Sequence, residues 1–89
     1  MIPHILLKNI ARNTNHEELQ TFCAQAGQVV RSVVEVNAQT GRGYGVGFVT
    51  YASVTEAAEA AIVLAGKELK GVVPQIVVPT QEEVAHFVV

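Results

Sequence analysis

Apolar residues recur along this chain in two rhythms, one of period two and one near 3.6, and the rhythm changes at turn and capping residues. His4 to Ile10 is a short apolar run after Pro3, read as a strand. Asn15 with Glu18, or Thr14 with Glu17, opens a helix through a capping box. Its stripe is Leu19, Phe22, Cys23 and Ala26, with Gly27 as its stop. Val29 to Val36 is rich in β-branched residues and reads as a second strand, although its alternation is blurred. Asn37 to Gly43 is a loop. From Tyr44 to Tyr51 the alternation is clean: Gly45, Gly47, Val49 and Tyr51 face one way, Tyr44, Val46, Phe48 and Thr50 the other.

Ser53 with Glu56 caps a second helix, Val54 to Leu64, whose inner stripe is expected at Ala57, Ala61 and Leu64 beside Ala58 and Ile62. Gly66 ends it, and Lys67 to Gly71 is a polar turn region. Val72 to Val78 is a fourth strand, and Pro74 inside it argues for a sheet edge or a bulge. Pro79 stops that strand. Thr80 with Glu83 is a third capping box, ahead of Val84, Phe87 and Val88, so residues 80–89 form a tail or a short helix. The order β-α-β-β-α-β predicts an α+β, ferredoxin-like sandwich: one four-stranded antiparallel sheet with two helices on one face. Residues 1–79 would be that domain and 80–89 an appendage.

Tyr44-Gly45-Val46-Gly47-Phe48-Val49-Thr50-Tyr51 resembles the third-strand signature of the RNA recognition motif family, K/R-G-F/Y-G/A-F-V-x-F/Y. It departs at the first position, Tyr44 for a cation, and at the third, Val46 for an aromatic. Ile5 to Ile10 resembles the family's first-strand signature, with Leu6 where an aromatic ring stands. The resemblance implies that the helix-free sheet face binds single-stranded RNA by stacking bases on rings. Carried over by position, the ring sites fall on Leu6, Val46 and Phe48, of which Phe48 alone keeps its ring. Tyr44 offers another ring, and Lys8, Arg31 and Arg42 are the cations able to reach this face or its rim. The RNA-contacting set expected from the resemblance is therefore Leu6, Lys8, Arg42, Tyr44, Val46 and Phe48.

Composition changes this picture in one respect. Eight glutamates against six Lys plus Arg give a formal charge of −2, which disfavours tight RNA binding, since affinity rests largely on cations near phosphates. Most of the glutamates fall on the expected helices, and Glu35 is the one placed on the sheet face. Weak binding to single-stranded RNA is the expectation. The rival expectation is contact with a protein partner or a second copy, because Leu6, Val33, Val46, Phe48 and Val77 make the face apolar, and the tail or a partner would then cover it. The stretch Lys67-Glu68-Leu69 lacks the Arg-x-Phe turn of family members that grip tryptophan-bearing peptides.

The other candidate chemistry is thin. His4, His16 and His86 have no metal-ligand spacing and read as surface or cap residues. Cys23 reads as a small core residue, and a lone cysteine excludes an internal disulfide. Alternating glycines within a strand fit neither nucleotide-binding fingerprint. No nucleophile–base pair is visible. We expect no enzyme, no cofactor, no metal and no small-molecule substrate. The chain has no apolar run of membrane-spanning length, and with a single cysteine the expected compartment is nucleus or cytoplasm.

Overall fold

The computed structural model describes residues 3–78. Within them the chain forms β1 (His4–Lys8), α1 (His16–Cys23), β2 (Val29–Val36), β3 (Gly43–Tyr51), α2 (Val54–Val63) and β4 (Gln75–Val77). The strands make one four-stranded sheet in the order β2-β3-β1-β4, and every pairing is antiparallel. The expected β-α-β-β-α-β sandwich is therefore the fold. The expected tail or short helix, residues 80–89, lies outside the described residues.

One face of the sheet carries the core. Ile5 and Leu7 of β1 and Val49 and Tyr51 of β3 pack with Leu19, Phe22 and Cys23 of α1 and with Ala57, Ala60 and the capping Leu64 of α2. Burial of a large apolar side chain of this kind stabilises by about 1.5–3 kcal/mol. Helix α1 comes close because β3 presents glycine to it. A Cβ placed on Gly47 would lie 2.6 Å from Leu19 Cδ2.

Capping explains where the helices begin. The Asn15 side chain accepts from the Glu18 backbone N–H, and the Glu18 carboxylate accepts from the Asn15 N–H, so of the two possible frames the later one forms. Hydrogen bonding from the Asn15 backbone, then from Lys70, holds the Glu18 carboxyl below its usual range. Helix α1 ends with Ala24 as its cap, before the Gly27 stop that its sequence suggested. In α2 the inner stripe is Ala57, Ala60 and Leu64; Ile62 is 78% exposed and Ala58 is exposed, which corrects the expected register.

Strand lengths also differ from expectation. The left-handed Asn9 (φ 59°) ends β1 early, yet the Ile10 N–H still bonds Gly45 O at 3.1 Å. The fourth strand is only Gln75–Val77. Before it, Leu69 and Val72 bond each other across Lys70 and Gly71, both at positive φ, the pattern of a two-residue hairpin turn. Pro74 stands just outside an edge strand, where its missing N–H removes no ladder bond.

A buried phenol and thiol give this core a pH dependence. Tyr51 donates to the Cys23 carbonyl at 2.8 Å. Burial pushes the Cys23 thiol up from 9.0 to about 12, against a smaller opposing effect of the Tyr51 hydrogen bond. Burial also raises the Tyr51 phenol, with Cys23 adding to the effect. Both groups release protons more readily when unfolded, so their contribution is whole below pH 9.0, the ordinary thiol value, and is lost as pH rises towards the folded values. Unfolding free energies from urea titration are expected to be flat from pH 7 to about 8.5 and then to fall, by up to about 1.4 kcal/mol per pH unit for each group. Cys23→Ala should move the onset towards 10.0, the ordinary value for tyrosine. A flat profile to pH 11 would contradict this account.

Candidate nucleic-acid interface

The face of the sheet away from the helices is ordered by strand register, because residues directly opposite on antiparallel strands point to the same side. Three rows cross it. The middle row is Val33, Phe48, Leu6 and Val77, one residue from each of β2, β3, β1 and β4. On one side lie Arg31, Thr50 and His4, and on the other Val46, Lys8 and Gln75. An apolar band thus runs across the whole sheet, with a row carrying a cation on each flank. The two cations are four residue levels apart along the strands, about 13 Å.

Register explains the blurred alternation of β2. Its pairing with β3 shifts between Val29 and Arg31 and again between Val34 and Val36. The first shift leaves Val30 64% exposed and lets Val29 pack with the core although Arg31 and Val33 face the other way. Alternation read from Val29 puts it on the same side as Arg31 and Val33; the bulge reverses that.

Of the six expected contact residues, four meet in this array. Leu6 lies opposite Phe48, and Lys8 lies opposite Val46. Tyr44, 50% exposed, stands at the loop end of β3. Arg42 is exposed in the β2–β3 loop, outside the register-paired rows. That loop is tied locally: the Asn37 side chain accepts from the Gln39 and Thr40 N–H groups, and the Asn37 N–H bonds Arg42 O at 2.7 Å. Gly43 then docks against the β1–α1 connection, donating its N–H to Arg12 O at 3.0 Å.

Two observations depart from the reading of an open RNA face and a surface His4. Phe48 and Leu6 face away from the helices and stand outside the core cluster, yet they are 0% and 2% exposed. The other departure is His4, which reads from sequence as a surface residue. It belongs to the array: its ring lies 5.0 Å from that of Phe48, tilted by 32°, and its Nδ1 is 2.8 Å from Thr50 Oγ1. Partial burial lowers its pKa, which favours the neutral ring. The signal that could have found it is parity, since His4 is two residues before Leu6 and must share its face. Among the described residues no group of His, Cys, Asp and Glu is placed to hold a metal, and no helix is long and apolar enough to cross a membrane.

Comparison with known proteins places this geometry. The family pattern described as the RNA recognition motif matches residues 5–74. Glycine-rich RNA-binding protein 2 of Sorghum bicolor is 42% identical over 62 residues, 70% of this chain and 37% of that protein. The chain therefore spans a little over a third of that relative's length. Among solved structures, the RNA15 RRM superposes with a TM-score of 0.83 at 20% identity, over 94% of this chain and 97% of that one. A Sxl-lethal protein/RNA complex superposes with a TM-score of 0.78 at 25% identity, over 86% of this chain and 47% of that one.

Proposed function

Because the chain belongs to the RNA recognition motif family, we propose that it is an RNA-binding module that holds single-stranded RNA weakly on the helix-free face of its sheet. The observation that carries this reading is the row Val33–Phe48–Leu6–Val77 flanked by Arg31 and Lys8. An apolar band gives bases a surface to lie on, and the flanking cations suit a backbone crossing the strands. The RNA-binding name of the sorghum relative and the RNA complex of the Sxl-lethal protein support the same ligand class.

Weakness follows from what the face lacks. Each stacked base contributes roughly 1–3 kcal/mol, and Leu6 and Val46 stand where two of the stacking rings would be. Cations are few on a chain of net charge −2. Moreover, a base cannot lie against Phe48 or Leu6 while they are buried, so binding requires this face to open. The proposal includes competition for the face by residues 80–89, whose Val84, Phe87 and Val88 carry apolar surface.

The test is an NMR titration of the full chain, and of the chain ending at Pro79, with single-stranded RNA octamers of uridine or of adenosine. Amide shifts at Leu6, Tyr44 and Phe48 are expected in both, with tighter binding by the shorter chain. Val46→Phe, which returns a ring at a half-buried position, should tighten binding further. Silence at those amides with both RNAs would discard this face as the site. Equal affinity of the two chains would remove residues 80–89 as a competitor.

A further inference from the structure

We infer that His4 is a base-contacting residue of this RNA face, supplying an accessible stacking ring that the sequence signatures do not contain. The inference rests on the RNA-binding reading above and adds to it a specific residue. Of the three expected ring sites Phe48 alone keeps its ring, but none of its surface is exposed. His4 remains half-buried, and its ring packs against Phe48 with centroids 5.0 Å apart.

Two anchors hold that ring. The Phe48 contact supports its position, and the 2.8 Å hydrogen bond between Nδ1 and Thr50 Oγ1 sets its rotation. An imidazole that is only a solvent-facing surface residue needs neither anchor. A ring already fixed in orientation loses little freedom when a flat ligand stacks on it. With Nδ1 engaged by Thr50, Nε2 is the ring nitrogen left for a base edge, as donor or acceptor. Arg31 faces Thr50 from the next strand, so His4, Thr50 and Arg31 form one row. That row offers a ring for an unstacked nucleobase and a guanidinium for the adjoining phosphate, the two chemistries a nucleotide of single-stranded RNA presents.

Fluorescence anisotropy with labelled uridine and adenosine octamers tests the assignment on the full chain. His4→Ala is expected to weaken binding about fivefold or more, the low end of what loss of one stacked base produces. His4→Phe keeps a ring and should bind within about twofold of the parent, whereas His4→Leu, which keeps apolar bulk alone, should resemble His4→Ala. Urea midpoints of all three variants separate binding from stability. In the parent, the imidazole C–H protons of His4 should shift upfield on RNA addition, a ring-current effect that a purely structural histidine would not show. Binding unchanged in both His4→Ala and His4→Leu, or imidazole protons that stay still at saturation while the Tyr44 and Phe48 amides move, overturns the role of His4 and leaves the RNA reading standing. No binding by the parent overturns both.

Discussion

Phe48→Ala is expected to weaken the fold and RNA binding together. From sequence, Phe48 faces away from the helices, and its loss should leave the fold intact. The structure corrects that expectation, because the side chain has no exposed surface. Truncating a buried phenylalanine typically costs about 3–5 kcal/mol, against a total stability of about 5–15 kcal/mol for a small domain. Binding should fall as well, by roughly 1–3 kcal/mol for the ring. Phe48→Leu separates the two effects. It keeps apolar volume, should cost roughly 0.5–3 kcal/mol in stability, and should lose affinity much as alanine does. Urea unfolding followed by circular dichroism gives the first quantity and anisotropy the second. If Phe48→Leu binds RNA like the parent, the ring is not used. The His4 assignment adds a coupling: losses in Phe48→Leu and His4→Ala should not add, because the two rings support one another.

Leu19→Ala is the companion result on the other side of the sheet. Leu19 is fully buried between α1 and β3, and its Cδ2 occupies the place a Cβ on Gly47 would need. Removing it leaves a cavity where α1 packs over Gly47, at an expected cost of about 2–5 kcal/mol. The cost reaches the upper half of that range only if α1 cannot settle inward, and Gly47 decides that. A double substitution, Leu19→Ala with Gly47→Ala, returns a methyl to the space and should recover part of the loss. Equal stability of the single and double variants would show that α1 settles into the gap unaided. Neither variant should change the pattern of RNA-induced shifts where the protein remains folded, since both residues belong to the helix side.

These two residues mark how far the sequence could be read. Leu19 was legible because helical period, capping box and burial all agree: the box at Asn15 and Glu18 sets the start of α1, and the stripe follows from geometry internal to the chain. Phe48 was legible as to its face, and its burial only as the rival expectation of a covered apolar face. Strand parity is a local property, whereas the burial of a sheet face depends on everything that packs against it. His4 was missed for a related reason. Its parity placed it beside Leu6, but its contact partner, Phe48, and its hydrogen-bond partner, Thr50, lie on a different strand, and only register brings them together.

Local chemistry by itself determined the element order, the sandwich, both helix starts to within a residue, and the family resemblance that residues 5–74 confirm. Capping, periodicity and glycine placement act over a few residues, so a single chain displays them. Tertiary structure decided the rest. It set the bulge of β2 between Val29 and Arg31, which exchanges the face of Val29, because a bulge is a relation between two strands. It moved the inner stripe of α2 to Ala60, because in an alanine-rich helix several stripes are equally apolar and the sheet selects one. Finally, it aligned Val33, Phe48, Leu6 and Val77 in one row with His4 and Arg31 alongside, because cross-strand register is settled by the pairing of all four strands rather than by any one of them.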